Sequence, residues 1–207
     1  MDTETLLTRV KNLFSGDASG HDFYHTLRVY RTAMAIAREE NCNREIVMLG
    51  ALLHDADDKK LFATENYANA HRLLQEYGAS PEVTRQVIGV ISTVSFGEGK
   101  IPDTIEGKIV QDADRLDALG AVGIARTFAY GGSRGLVIHD PEILPQMGMT
   151  PEQYRSHKGT SVNHFYEKLL CLKDTLHTQT AKKIAEKRHQ FMEEFLEEFL
   201  AQWDGKR

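Results

Sequence analysis

The stretch MLGALLHDADD, residues 48–58, ends an apolar helical pattern that starts near Arg44. Its apolar residues predict a buried helix, and the small residue Gly50 permits close packing against a neighbouring helix. The helix ends on His54 and Asp55, whose side chains are both good metal ligands. A His-Asp pair is common by chance, and a histidine at a helix end is often a cap or a surface residue. The pair therefore needs support from elsewhere in the chain.

Apolar residues recur at three- and four-residue spacing along most of the chain, whereas alternating β-branched stretches are nearly absent. This pattern predicts an all-α fold. Residues 131–160 break the helical period with five glycines and three of the five prolines, so we expect a long, functional loop there. The predicted helices run from His25 to a stop at 41–43, then over 44–53, 66–77, 81–95, 103–130 as one or two helices, and 161–203 with a break near Thr178.

The composition excludes several classes of protein. A chain of 207 residues that is 41% hydrophobic can bury a core, which excludes a disordered tail or a fibrous repeat. Its formal charge of −5 offers no cationic field to a phosphate backbone, so nucleic acid is not an expected partner. The two cysteines lack CxxC spacing and indicate no disulfide framework. Without an apolar leader or a run of about 18 apolar residues, we expect a cytoplasmic protein with no membrane partner.

Two further segments carry side chains that can bind a metal. Upstream, GHDFYH places His21 and His25 four residues apart, with His25 opening an amphipathic helix. Downstream, residues 111–117, QDADRLD, place three carboxylates within about one and a half helical turns. Crowded carboxylates repel one another, and a bound cation relieves that repulsion. A solvated acidic face is the alternative interpretation of this segment.

Taken in order, these segments resemble the HD-domain metal-dependent phosphohydrolase superfamily. The resemblance covers about residues 20–203. Within the superfamily, the segments are most similar to those of a bacterial subfamily that includes nucleotide pyrophosphohydrolases. It implies a single HD-type domain over 1–207, built as a helical bundle with a metal-binding core at about 20–125 and a C-terminal helical extension. The segments that carry it are GHDFYHTLRVYRTAMAIA, ALLHDADDKKLF, IVQDADRLDALGAVGIARTFAYGG, NHFYEKLLCLKDTLHT and AEKRHQFMEEFLEEF.

The resemblance implies that four side chains bind one divalent metal ion: His25, His54, Asp55 and Asp114. His25 is the first ligand because the LRV helix follows it, and Asp114 is the last because Arg-Leu follows it. Asp112 remains the alternative to Asp114, since the DAD sequence offers two carboxylates two residues apart.

Two imidazoles and two carboxylates leave two positions of an octahedron open, which suits Mn²⁺, Mg²⁺, Co²⁺, Ni²⁺ or Fe²⁺ better than a closed tetrahedral zinc site. Mn²⁺ is the favoured ion, and the other four are its alternatives. Superfamily members with two metals need further histidines between the His-Asp pair and the last aspartate. Only His71 lies in that interval, so we expect a single metal ion.

The resemblance also implies a hydrolase for small phosphorylated molecules, specifically one that cleaves a nucleoside triphosphate to a monophosphate and pyrophosphate. Asp58 is the expected general acid and base, because it occupies the offset of the catalytic acids in related HD nucleotidases, and Lys59 beside it is expected to neutralise charge on the phosphates. A nucleoside monophosphate 5′-phosphatase and a non-catalytic nucleotide-binding module are the alternatives, and the protein is expected to be a monomer or homodimer. The candidate substrate-binding residues are His21, Arg115, Tyr130, Arg134 and Lys168.

Overall fold

The computed structural model describes residues 2–14, 22–59, 61–94 and 100–207. Within these ranges all regular structure is helical and no strand occurs, so the prediction of an all-α fold is confirmed. The helices group into two compact units, Met1–Asp114 and Arg115–Arg207. None of the helices in the described ranges combines the length and the apolar composition that a membrane crossing requires.

The first unit is built around one central helix. Its helices are α1 (Thr3–Leu13), α2 (Phe23–Ile36), α3 (Arg44–Leu53), α4 (Ala68–Tyr77), α5 (Pro81–Val94) and the part of α6 (Ile105–Asp117) that ends at Asp114. Helix α3 packs against α2 and α5, and most of its residues are buried. A Cβ atom on Gly50 would lie 2.9 Å from Cγ1 of Val90 and 3.4 Å from Cγ2 of Val110. The close approach predicted at Gly50 is therefore present.

Local signals in the sequence set the helix ends of this unit. The Asn43 side chain accepts hydrogen bonds from the N–H groups of Glu45 and Ile46, which begins α3. Gly78 ends α4 in the left-handed region with φ of 89°, as glycine commonly does after a helix.

The second unit contains α7 (Gly120–Ser133), α8 (Pro151–Ser156), α9 (Ser161–Glu167), a 3-10 helix (Leu169–Thr175) and α10 (Gln179–Trp203). Helix α10 packs against α7 and the 3-10 helix. The ring of Phe128 lies 5.8 Å from Phe165 and 5.9 Å from Phe195, so an aromatic cluster joins α7, α9 and α10. The Thr178 side chain caps α10, which confirms the predicted break at that residue.

Two segments differ from the prediction. Helix α2 ends at Ile36 rather than at 41–43, because the Ala37 carbonyl accepts from Nε of Arg44 at 3.3 Å and no longer serves a continuing helix. The segment predicted as a loop over 131–160 begins with the end of α7 and contains α8. Helix α8 forms because Thr150 and Gln153 make a reciprocal capping box around Pro151.

Candidate metal centre

His25 is fixed at the first turn of α2 by the residue that begins that helix. The Asp22 side chain caps α2, and its Oδ1 accepts the backbone N–H of His25 at 2.8 Å. The His25 residue is only 1% exposed. The cap therefore holds a buried imidazole at a defined position on the helix.

His54 is oriented by the last turn of α3. Its Nδ1 lies 2.9 Å from the carbonyl oxygen of Ala51, so Nδ1–H is the donor and Nε2 is the nitrogen that can bind a metal. A hydrogen bond of this kind on the remote nitrogen is typical of metal-binding histidines, because it fixes both the tautomer and the ring orientation.

The two imidazoles and two carboxylates converge. Nε2 of His25 lies 3.3 Å from Nε2 of His54, and Oδ2 of Asp55 lies 3.5 Å and 3.3 Å from these two nitrogens. Oδ1 of Asp114 lies 3.4 Å from Nε2 of His25 and 3.9 Å from Nε2 of His54. Ligand atoms that share one ion at about 2.1 Å lie about 3 to 4.2 Å apart. The histidine–histidine and histidine–carboxylate spacings therefore fit a single divalent ion, and we name these four residues the ligand cluster.

Exposure differs between the two kinds of side chain in the ligand cluster. The imidazoles are 2% exposed, whereas the carboxylates of Asp55 and Asp114 are 15% and 24% exposed. Solvent and a small substrate can therefore reach the cluster from its carboxylate side.

Electrostatics in the ligand cluster favour positive charge. Burial lowers the pKa of the His54 imidazole, but the carboxylates of Asp55 and Asp114 outweigh burial, and the net pKa is raised. Burial raises the pKa of Asp114, and the two imidazoles outweigh it, so the net pKa of that carboxyl is lowered. The cluster thus attracts either a proton or a metal cation, which is the behaviour that the donor set of a divalent metal site requires.

The structure separates the two candidates for the last ligand. Residues two apart on an α-helix point about 200° apart, so Asp112 and Asp114 occupy opposite faces of α6. Asp114 lies beside both histidines, whereas Asp112 is completely buried. His25, His54 and Asp114 offer ligand atoms that all lie within 4.8 Å of one another. The geometry therefore favours Asp114.

Comparison with known proteins agrees with this arrangement. A model of the HD domain matches residues 22–119. The Bacillus subtilis protein YpgQ is 38% identical over 195 residues, which cover 91% of this chain and 87% of YpgQ. The chain belongs to the HD domain family.

Solved structures of HD domain relatives extend over nearly the whole chain. An HD-superfamily hydrolase from Bacillus thuringiensis is 44% identical with a TM-score of 0.78, over 97% of this chain and 96% of that one. The structure of Bacillus subtilis YpgQ in complex with ADP is 34% identical with a TM-score of 0.80, over 100% of both chains. A Lactobacillus plantarum protein is 38% identical with a TM-score of 0.83, over 99% of this chain and 100% of its own.

The predicted catalytic residues follow the His-Asp pair of the HD domain in the same turn. The N–H of Asp58 donates to the carbonyl oxygen of Asp55 at 3.1 Å, and the carbonyl of Asp58 accepts the N–H groups of Leu61 at 2.9 Å and Phe62 at 2.8 Å. Asp58 is partly exposed and Lys59 is exposed. Both roles stay predictions.

The predicted substrate-binding residues lie elsewhere in the chain. The Arg134 guanidinium lies over the ring of Tyr130 at 5.4 Å, and Lys168 Nζ lies 5.7 Å from the ring centroid of Tyr154. These residues belong to the second unit. His21 lies outside the described residues. Their roles in binding substrate stay predictions.

Arg115 and Asp117, which lie one and three residues after Asp114, make structural contacts in the second unit. Nη1 of Arg115 donates to the carbonyl oxygen of Thr175, at the end of the 3-10 helix. Oδ2 of Asp117 accepts from Nη1 of Arg126 at 2.7 Å. Arg115 therefore has a packing role whether or not it also binds substrate, and Asp117 is engaged in an ion pair.

Sequence reasoning missed the residues that hold the ligand-bearing segments in place. Asp22 could have been found, because an Asp three residues before the first ligand is a helix-cap signal. Gln111 is completely buried, and its Nε2 donates to the carbonyl oxygens of Thr93 at 2.8 Å and Lys100 at 3.0 Å. This clamp fixes α6 one turn before Asp114. No spacing rule in the sequence indicates such a long-range contact.

Proposed function

We propose that this HD domain protein is a divalent-metal-dependent phosphohydrolase that cleaves a nucleoside triphosphate to a monophosphate and pyrophosphate. The observation that carries the proposal is the convergence of His25, His54, Asp55 and Asp114, whose ligand atoms lie 3.3 to 3.9 Å from one another across the histidine–carboxylate and histidine–histidine pairs. A cluster with this donor set and open access on one side is suited to catalysis rather than to a closed structural site.

The ligand cluster would hold one ion, with Mn²⁺ favoured among the divalent metals that accept mixed nitrogen and oxygen ligands. Such an ion, when bound, polarises a phosphoryl oxygen and lowers the pKa of a bound water. The Ala51 carbonyl keeps His54 in the tautomer whose Nε2 faces the cluster. The exposed edges of Asp55 and Asp114 leave the phosphate of a substrate room to approach.

Asp58 is proposed as the general acid and base. It lies three residues after Asp55, and the hydrogen bond between its N–H and the Asp55 carbonyl holds it one turn beyond the ligands. In the reaction, water oxygen bonds to the α-phosphorus and the bond from that phosphorus to the bridging oxygen breaks. Asp58 accepts the proton that the water loses or returns one to the departing pyrophosphate. Exposed Lys59 would offset negative charge on the phosphates.

A nucleotide is the substrate class that the relatives and the side chains support. YpgQ has been crystallised in complex with ADP. The Tyr130 ring, stacked under Arg134, offers an aromatic face for a base and a cation for a phosphate. Arg115, Lys168 and His21 are proposed as further phosphate contacts.

The test is a product assay. Purified protein with Mn²⁺ is incubated with a panel of nucleoside triphosphates, diphosphates and monophosphates, and pyrophosphate and inorganic phosphate are measured separately. Pyrophosphate from triphosphates that disappears in a His54→Ala variant is the expected result. Inorganic phosphate from monophosphates alone would replace the proposal with a 5′-phosphatase. Nucleotide binding without either product would replace it with a non-catalytic module.

A further inference from the structure

The turn that follows the His-Asp pair is tied to a helix that carries no ligand. Oδ1 of Asp57 accepts the N–H of Asn69 at 3.0 Å, and Oδ2 accepts the N–H of Ala70 at 2.9 Å. These are the second and third residues of α4, whose first N–H groups have no partner within the helix. The Asp57 carboxylate thus occupies the positive end of α4 from twelve residues away.

Helix α4 depends on this remote cap because its own cap residue provides none. Tyr67 makes no side-chain cap hydrogen bond, and it lies in the left-handed region with φ of 55°. Asn66 before it has φ of 53°. Two successive left-handed residues without glycine are strained, and such strain persists only where surrounding contacts enforce it.

A second hydrogen bond joins the same two segments. Nδ2 of Asn69 donates to the carbonyl oxygen of Ala56 at 2.8 Å, and Ala56 is completely buried. Three hydrogen bonds therefore connect residues 56 and 57 to residues 69 and 70. The turn between Asp55 and Asp58 is therefore held against α4 through a side chain, that of Asp57, and through a backbone carbonyl, that of Ala56.

We propose that Asp57 is a positioning residue, whose carboxylate, held by the start of α4, sets the orientation of Asp55 in the ligand cluster and of Asp58 beside it. The inference rests on the proposed function, since it assigns Asp57 to the same site. Asp57 itself acts through the turn and contacts neither metal nor substrate. Its influence on the site is of the kind that residues supporting metal ligands exert, typically about 10- to 100-fold in metal affinity or activity.

The test is the affinity for Mn²⁺ of the whole chain, measured by calorimetric titration well below the unfolding temperature. Asp57→Asn preserves side-chain size but replaces one acceptor oxygen by an N–H₂ group that faces the N–H of an α4 residue. We expect Mn²⁺ affinity to fall about 10- to 100-fold while far-ultraviolet circular dichroism keeps the wild-type helix content. With Mn²⁺ restored to saturation, kcat for the triphosphate is expected to remain below wild type and KM to remain unchanged, because Asp58 is displaced.

Two further variants make the result interpretable. Asn69→Ala removes only the bond to Ala56 and should weaken Mn²⁺ binding in the same direction, even if Asp57→Asn fails to fold. Glu65→Gln is the matched control, because it removes an exposed carboxylate from the same connection and should bind Mn²⁺ like wild type.

A purely structural cap predicts a different outcome. If Asp57→Asn and Asn69→Ala lower Tm but bind Mn²⁺ with wild-type affinity and keep kcat, the positioning role is overturned. If the wild-type protein itself neither binds Mn²⁺ nor hydrolyses a nucleotide, the proposed function fails instead, and the two failures are thereby distinguished.

Discussion

Each of the two units contains two histidines that are largely removed from solvent, and we call each set a histidine cluster; the two are built differently. In the second unit, the Tyr154 hydroxyl is hydrogen bonded to Nδ1 of His164, and Nε2 of His157 lies 3.1 Å from Oε1 of Glu167. Each imidazole there has a separate hydrogen-bonding partner. In the ligand cluster of the first unit, two Nε2 atoms lie 3.3 Å apart and share the same two carboxylates.

The pKa values of the histidines reflect this difference. Burial, assisted by the Lys168 charge, lowers the pKa of His164 to about 4, so this histidine is a neutral part of the core. In the ligand cluster, carboxylates outweigh burial and raise the pKa of His54. Burial alone therefore does not make a histidine functional. Convergence of two imidazoles on two carboxylates distinguishes the candidate metal centre from the second cluster.

Removing an imidazole from the ligand cluster should have the largest effect. His54→Ala is expected to lose Mn²⁺ and to reduce pyrophosphate release roughly 1,000-fold, since metal catalysis supplies several kcal/mol and 1.36 kcal/mol is tenfold in rate. Metal content per folded protein and initial rates measure the effect. A variant that keeps wild-type metal content and turnover would remove His54 from the site.

How much of this arrangement the sequence predicts depends on the range of each contact. The spacing of apolar residues predicts the helices, and residues such as Thr178 and Gly78 mark their ends, because both kinds of signal are local. His25, His54 and Asp114 could be proposed as ligands because the family resemblance orders them along the chain. The sequence alone leaves Asp112 and Asp114 as alternatives, because the rotation of α6 is set by packing against the rest of the first unit.

Contacts between distant segments could not be predicted. Gln111 bridges Thr93 and Lys100, and its fully buried amide has no spacing rule that indicates its partners. The predicted end of α2 is wrong for the same reason. Arg44 lies outside the helical pattern of α2, and yet its Nε donates to the Ala37 carbonyl just after the helix ends.

Separate substitution of Asp112 and Asp114 on α6 tests which of these two carboxylates binds the metal. Asp114→Asn should weaken Mn²⁺ binding at least about 100-fold, because it removes a charged ligand from the cluster. Asp112→Asn should keep the Mn²⁺ stoichiometry of wild type, since Asp112 faces away from the histidines. Titration of both variants with Mn²⁺ separates them, and the reverse order of affinities would make Asp112 the ligand.

Asp58→Ala should separate catalysis from metal binding. We expect Mn²⁺ affinity to stay near wild type while turnover falls about 100-fold, which is the usual contribution of a general acid or base. The measurement is kcat at saturating Mn²⁺ and triphosphate, together with metal content. Unchanged kcat would show that the proton is handled elsewhere.

The two histidine clusters should respond to pH with opposite sign. Without metal, the raised pKa of His54 contributes stability that is complete below about pH 6.5 and is lost as pH rises through its folded value. His164 binds its proton more weakly when folded, so its contribution is complete above about pH 6.5 and is lost as pH falls toward 4.

Mn²⁺ competes with the proton on His54, so Mn²⁺ affinity should increase by up to about tenfold per pH unit while His54 titrates. The rise in Tm that Mn²⁺ produces should therefore grow with pH. Thermal unfolding across this range, with and without Mn²⁺, measures both effects. In a His164→Gln variant, stability should no longer fall as pH falls toward 4, and the rise in Tm produced by Mn²⁺ should be kept. Equal Mn²⁺ stabilisation at all pH values would contradict proton competition in the ligand cluster.

The smallest effect is expected at the paired histidine of the second unit. His157→Ala removes one hydrogen bond to Glu167, whose Oε1 also accepts the N–H of Gln146 at 3.0 Å. The free energy of unfolding should fall by about 1 kcal/mol. Denaturant unfolding gives this value, and Mn²⁺ affinity should be that of wild type. Loss of Mn²⁺ binding in this variant would show that the second cluster is not merely structural.

The metal site is measured most directly by a crystal structure of the protein grown with Mn²⁺, with anomalous data collected at the manganese edge. The expected result is one anomalous peak about 2.0 to 2.3 Å from Nε2 of His25, Nε2 of His54 and carboxylate oxygens of Asp55 and Asp114. A map without a peak at this position, with the four side chains turned away from one another, would exclude a metal site at these residues.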